Sequence, residues 1–302
     1  MAFTAKDVQT LREKTGCGMM DCKKALTECD GEMAKAVDFL REKGLAAAEK
    51  KAGRIAAEGT VAAFVNSQAG AVIEINSETD FSANTEAFQT FSAMLAKTVA
   101  EQNPVDVDGL LALVPAGEKD TVLELLREKI LTIGENIKIR RFVRFEGVVS
   151  TYIHGGGRIG VLVHFEAPAD VAGSDAFNVL AKDICMQVAA ANPLFLDEAA
   201  VSAETLAHER KILTEQVINE GKPAAIAEKI VNGKMGKYFK ENCLLNQPFI
   251  KDGDVSVEQH LANQSKELGG EIKVVAFARL EKGEGLQKRE DNFADEVAGM
   301  VK

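Results

Sequence analysis

Two stretches of this 302-residue chain repeat each other, and that repeat constrains the fold more than any other feature. Gly70-Ala71-Val72-Ile73-Glu74 returns as Gly160-Val161-Leu162-Val163-His164. Ala87-Phe88 opens an apolar helical stretch ending near Ala100, and Ala176-Phe177 opens another ending near Ala191. These pairs lie about 90 residues apart. A second set is displaced further. Ile137-Lys138-Ile139, Phe142 and Arg144-Phe145-Glu146 match Ile272-Lys273-Val274, Phe277 and Arg279-Leu280-Glu281, an offset of 135 (272 less 137). The second copy therefore carries about 45 extra residues between Ala191 and Ile272. Each copy has a strand, one or two helices and returning strands, which predicts an α+β fold of two related core subdomains.

The insert is expected at 197–241. Ser202 can cap a helix carrying Leu206, Leu213 and Val217. Gly221-Lys222-Pro223 breaks it, and Pro223 suits the start of the next helix. Ile226, Ile230 and Tyr238 then form a stripe at helical spacing. This predicts a helical hairpin. Its stripe is either the seam between its own two helices or a contact for a homodimer, because two helices alone seldom bury a full core.

Residues 1–45 predict a module of three short helices. Thr4 can cap the first, with Asp7 three positions on as in a capping box, and Val8 and Leu11 give it an apolar side. Thr15-Gly16-Cys17-Gly18 breaks the chain before a second helix with Met20, Ala25 and Leu26, which ends at Asp30-Gly31. A third carries Val37, Phe39 and Leu40, with Gly44 where a cap glycine belongs. A helical linker is expected at 46–58, core subdomains at 59–147 and at 148–196 with 242–283, and a C-terminal module at 284–302. In that module Phe293, Val297 and Met300 suggest an amphipathic helix.

Charge narrows the function. The chain has 36 Lys+Arg against 46 Asp+Glu, a net charge of -10. A nucleic-acid binder needs a basic face to release phosphate counterions, so this balance argues against one. Residues 1–54 are near neutral, with 11 Lys+Arg and 9 Asp+Glu. The acidic surplus lies in the rest of the chain, where it could steer a positive partner surface. Five Cys without a CxxC argue against a disulfide framework or structural zinc. The opening MAFTAKDVQT lacks an apolar leader, and no stretch approaches the ~20 apolar residues of a membrane span. The expected compartment is the cytoplasm.

A search for reaction chemistry finds little. Gly155-Gly156-Gly157-Arg158-Ile159-Gly160 spells G-x-G-x-x-G, but it precedes a strand instead of opening a helix, so it reads as a hairpin turn. There is no GxxxxGK[ST], GxSxG or HExxH, and the four His are scattered. His154, beside the glycine turn, is expected at the surface, where it is ordinary or anchors a partner. One strand-to-helix loop, 77–84, is unusual: Ser77-Glu78-Thr79-Asp80-Phe81-Ser82-Ala83-Asn84 sets a carboxylate beside a large aromatic. Either Asp80, Ser82 or Asn84 caps the following helix while Phe81 folds into the core, or Phe81 and Asp80 stand out as an anchor for a partner's pocket.

Thr15-Gly16-Cys17-Gly18-Met19-Met20-Asp21-Cys22-Lys23-Lys24-Ala25-Leu26 resembles the N-terminal signature of the bacterial elongation factor Ts family. Thr79-Asp80-Phe81-Ser82 resembles that family's Thr-Asp-Phe-Val motif, and the stretch from His154 to Val163 resembles its second signature. The repeat, hairpin and tail follow the family's order, so the likeness spans essentially the whole chain. It implies a guanine-nucleotide exchange factor, not an enzyme and without a cofactor. Such a factor binds the GTPase elongation factor Tu in its GDP form, expels GDP, and contacts neither nucleic acid nor membrane. It implies a ubiquitin-associated-like N-terminal module whose Arg12, Met19 and Met20 touch the GTPase domain. Thr79, Asp80, Phe81 and Ser82 would disturb the partner's magnesium and phosphate site, and His154 would meet a non-GTPase domain. The hairpin would be a coiled coil that mediates a homodimer in some members, and the C-terminal module would clasp the GTPase domain. Ser82 departs from the family's Val, at a position expected to support the loop.

Overall fold

The computed structural model describes residues 3–221 and 223–287. The tail helix expected around Phe293, Val297 and Met300 lies outside them. The chain opens with α1 (Ala5–Thr15), α2 (Met19–Glu28) and α3 (Met33–Lys51). The Thr4 hydroxyl accepts from the Asp7 N–H at 3.3 Å and the Asp7 carboxylate accepts from the Thr4 N–H at 2.7 Å, satisfying two orphan donors of α1. Gly16, at φ 66°, ends that helix in the left-handed region. Leu11, Cys22, Ala25, Leu26, Ala36 and Leu40 close the module's core.

Gly44 does not cap the third helix, contrary to expectation. The Ala-rich, charged stretch behind it is strongly helix-forming, so α3 runs on to Lys51. Gly44 is buried inside α3, where a Cβ would stand 3.5 Å from the Arg127 carbonyl oxygen. The module rests there on α7 (Val122–Ile133), tied by Arg41 to Asp120 at 2.7 Å and by the Lys51 Nζ donating to the Ile130 carbonyl at 3.0 Å.

The body is built twice. In the first copy β1 (Glu58–Val65) and β2 (Ala69–Ser77) form a hairpin, followed by α4 (Asp80–Ala83), α5 (Glu86–Gln102), α6 (Val107–Ala112), α7 and β3 (Lys138–Glu146). In the second, β4 (Val148–His154) and β5 (Ile159–Glu166) are followed by α8 (Ala169–Ala172), α9 (Asp175–Ala191), α10 (Ala203–Asn219) and α11 (Ala224–Asn242). A two-stranded ribbon, β6 (Pro248–Phe249) and β7 (Asp252–Ser256), leads to α12 (Val257–Leu268) and β8 (Lys273–Glu281). The antiparallel sheets run β1-β2-β3 and β4-β5-β8.

Local details repeat with the elements. Thr85 and Ser174 cap α5 and α9 by accepting from Phe88 N–H and Phe177 N–H. Asn103 and Asn192 end those helices at φ 49° and 45°. Thr121 with Glu124, and Ser256 with Gln259, box the starts of α7 and α12, while Gly134 and Gly269 end them. Asp106 and Asp197 each cap a short turn, so the second copy follows the first through Asp197 before the extra helices leave it.

β2 and β5 read as near-continuous apolar runs because both faces are covered. Ala71, Ile73 and Ile75 pack on Phe88, Phe91, Leu95 and Val99 of α5, and Val161, Val163 and Phe165 pack on Phe177, Ile184 and Val188 of α9. Each such large side chain contributes ~1.5–3 kcal/mol when fully buried. The opposite faces meet each other through Val61, Val72, Leu162 and Leu280. Gly70 permits that approach: a Cβ there would stand 2.9 Å from both Leu162 and Val149. The result is two sheets face to face with helices outside. The hairpin of α10 and α11 buries Val217, Ala227, Val231 and Met235 against one another. Ile230 and Tyr238 of the expected stripe pack on that seam, while Ile226 is exposed.

Candidate functional site

In the loop from β2 to α4, Phe81 is 84% exposed and not folded into the core, and the chain turns without it. Capping falls to threonines instead of Asp80, Ser82 or Asn84. The Thr79 hydroxyl accepts from the Ser82 N–H at 3.2 Å to start α4, and Thr85 starts α5. Asp80 is exposed beside Phe81, and Ser82 is half-buried with its carbonyl accepting from the Thr85 hydroxyl at 2.7 Å.

The loop is braced from below by residues that sequence reading missed. The Glu135 carboxylate accepts from the Glu78 N–H and the Thr79 N–H, both at 3.0 Å, and from the Thr79 hydroxyl at 2.6 Å. The Glu78 carboxylate accepts from the Asn136 N–H at 2.7 Å and from Arg54 at 3.3 Å. Asn136 reaches on to the Arg54 carbonyl at 2.7 Å. The end of α3, the loop and the start of β3 are thus knotted together by polar contacts.

The second copy supplies the signal that could have exposed this site. Position by position, Phe81 corresponds to Asp170, an exposed polar residue, and Ser82 corresponds to Val171, a buried one. A surface position filled by Asp in one copy has no structural need for Phe in the other. An exposed Phe contributes burial energy only when another surface covers it.

His154 lies elsewhere, at the end of β4. Its counterpart in the first copy is Asn66, which spends its carbonyl oxygen on the Gln68 and Ala69 N–H groups at 2.8 and 2.9 Å. The second copy turns instead on Gly155, Gly156 and Gly157, all at positive φ, which need no side-chain partner. His154 is left exposed, its Nδ1 3.1 Å from the Tyr152 hydroxyl. Gly157 in turn accepts from the Val61 N–H of β1 at 2.7 Å, fixing the turn on the first copy. Arg12, Met19 and Met20 come together on a groove between α1 and α2, floored by Val8 and Gly16. Met19 and Met20 are 55% and 74% exposed. Of the expected residues, Arg12, Met19, Met20, Asp80, Phe81 and His154 are exposed, on α1, α2, α4 and β4, while Thr79 and Ser82 are half-buried.

Buried ionisable groups serve the fold. Burial pushes the Cys185 thiol up to about 12 and Cys243 up to about 11. Burial alone would raise Glu74, but the Gly283 N–H, Arg141, Arg140 and Asn76 outweigh it and hold its carboxyl below the usual range. Among the described residues, no three His, Cys, Asp or Glu side chains gather to hold a metal ion, and no helix is long and apolar enough to cross a membrane.

The family described as "Elongation factor TS" matches residues 78–284. Elongation factor Ts from Clostridium perfringens (strain SM101 / Type A) is 54% identical over 303 residues, covering 99% of both chains. That of Clostridium novyi (strain NT) is 52% identical over 300 residues, 97% of each. That of Clostridium botulinum (strain Eklund 17B / Type B) is 50% identical over 304 residues, 99% of each. The duplicated α+β body and helical module are therefore those of a translation elongation factor with a nucleotide-exchange role. The chain belongs to the elongation factor Ts family.

Proposed function

We propose that this protein is the guanine-nucleotide exchange factor of elongation factor Tu, acting in the cytoplasm. It binds the GDP form of that GTPase, disturbs the magnesium and phosphate site, and releases GDP. The observation that carries the reading is Phe81, a rigid aromatic held 84% exposed on a braced helical turn, next to the exposed carboxylate of Asp80. Magnesium demands near-ideal octahedral geometry at ~2.0–2.1 Å, so a small displacement of the elements around it weakens the nucleotide. Thr79 and Ser82 hold the turn, Phe81 wedges, and Asp80 meets polar groups beside the metal or repels the phosphates.

Docking falls to the other two surfaces. Arg12, Met19 and Met20 supply a flexible apolar groove with a charged edge, the kind that adapts to a partner's surface. His154 supplies a second contact, from the end of β4. No bond is made or broken in exchange. The protein and GDP oppose each other's binding by the same factor, which is thermodynamic linkage. A homodimer, where it forms, would use Ile218 and Ile226, large apolar residues exposed on the hairpin.

The test is release of fluorescently labelled GDP from elongation factor Tu. Burying Phe81 in the complex is worth ~1.5–3 kcal/mol, so Phe81→Ala should cut the acceleration by about 10- to 150-fold while folding normally. Acceleration equal to wild type would remove the loop from the mechanism. Binding without any change in release rate, even by the wild-type protein, would make the protein a scaffold instead.

A further inference from the structure

We propose that Glu135 is the positioning residue for exchange, fixing the helical turn from which Asp80 and Phe81 project. The inference rests on the role assigned to Phe81 above. Glu135 lies just past Gly134, the glycine that ends α7, so its backbone belongs to the rigid junction into β3. Its carboxylate gathers three hydrogen bonds from two successive loop residues, Glu78 and Thr79. The Thr79 hydroxyl spends its proton on Glu135 at 2.6 Å, which leaves its lone pairs to accept from the Ser82 N–H at 3.2 Å. An unbroken chain of hydrogen bonds therefore runs from the junction, through Thr79, into the first turn of α4. The Asn136 N–H, donating to Glu78 at 2.7 Å, closes a second link beside it.

The duplicated body provides an internal control. At the same junction of the second copy, Gly270 stands in place of Glu135, Pro168 in place of Thr79 and Val171 in place of Ser82. Pro168 has no N–H to donate. A Cβ on Gly270 would fall 2.8 Å from both Pro168 and Val171, so that copy closes the junction by direct apolar packing. The fold closes this corner without a carboxylate. Only the copy that carries the exposed aromatic replaces packing with a charged clasp on the loop backbone. Such a clasp fixes the direction of the loop before the partner arrives, so less ordering remains to be done on binding.

The experiment uses the full chain, with Glu135→Ala, Phe81→Ala and the double variant. Two readouts are taken: labelled-GDP release from elongation factor Tu, and amide hydrogen exchange of residues 78–84 in the free protein. Glu135→Ala should lower the acceleration about tenfold and speed exchange of those amides, the scale set by losing hydrogen bonds to a charged group. Added to Phe81→Ala, it should lower release no further, which a general loss of stability would not reproduce. Glu135→Gln keeps the side-chain volume and one acceptor, and should fall between the two if the alanine variant folds poorly. Wild-type release by Glu135→Ala, alongside a defective Phe81→Ala, overturns the positioning role. So does an undiminished Glu135 effect in the double variant, or unchanged amide exchange. If Phe81→Ala itself is without effect, the reading of Phe81 fails and the exchange role of Glu135 with it, while the amide readout still shows whether Glu135 holds the loop.

Discussion

Replacing Glu74 by Gln should loosen the joint between the two halves of the body. Glu74 is fully buried on the inner face of β2. Its carboxylate accepts from Arg141 Nε at 2.7 Å, the Gly283 N–H at 2.8 Å, Arg140 Nη1 at 2.9 Å and Asn76 Nδ2 at 3.2 Å. The arginines continue outward: Arg140 donates to the Glu284 carbonyl at 2.5 Å, and Arg141 to the Glu284 carboxylate at 3.0 Å. One buried charge thus ties the first sheet to the turn that follows β8. Gln leaves one acceptor oxygen and turns an NH2 group toward donors. Removing one partner of a buried pair costs ~3–5 kcal/mol. The lower figure applies here, because Arg140 and Arg141 are 24% and 35% exposed and can turn to water. At ~2–4 °C per kcal/mol for large domains, Tm should fall by about 6–12 °C.

The same substitution has a pH signature. The folded pKa of Glu74 is depressed, so its contribution is complete above the unfolded pKa of roughly 4.3 and is lost as pH falls through the folded value. Urea midpoints of wild type and Glu74→Gln should differ by a constant amount from pH 7 to 5, then converge below about pH 4. A gap that stays constant down to pH 3 would refute the ionic account, and a gap near zero at pH 7 would refute the buried pair as a fastening.

Two further outcomes follow from packing. Gly44→Ala should raise the urea midpoint, by up to ~1 kcal/mol in stability, because a helical glycine is replaced and the new Cβ meets the Arg127 carbonyl at an ordinary 3.5 Å; destabilisation would mean the α3–α7 contact is tighter than that distance implies. Ile226→Glu should disperse any homodimer in sedimentation velocity without lowering helical content, since Ile226 lies outside the buried seam of the hairpin; a dimer that survives would assign the contact elsewhere.

The architecture was legible because the body is written twice. Gly70 to Glu74 and Gly160 to His164 lie on the central strand of each sheet, where both faces are covered and few residue types fit. Caps were legible where their chemistry is local, as at Thr4 with Asp7. Gly44 misled because the pattern that surrounds a cap glycine also suits a glycine under a neighbouring helix. What decided between them was α7, about 85 residues away in sequence. Glu135 and Glu74 were invisible for the same reason. Glu135 holds a loop 56 residues upstream, and Glu74 accepts from a backbone N–H 209 residues downstream. No local pattern marks a carboxylate for partners so distant.

The direction of Phe81 was the hardest to read, since an aromatic after a strand suits a core as well as a surface. Yet the two copies already held the answer at a single position. Where duplicated halves agree, at Asn103 and Asn192 or at Gly134 and Gly269, the backbone demands the residue. Where they disagree at a matching exposed position of the same short helix, as Phe81 against Asp170, the fold is indifferent and something else chooses; Glu135 against Gly270 and His154 against Asn66 come instead with different local packing or a different turn. These three differences fall on the loop that carries Asp80, on its clasp, and on the turn beside His154. Under the proposed exchange role the duplication would divide the work: the first copy supplies the exposed Phe81 as the wedge, and the second supplies the exposed His154 as a further contact.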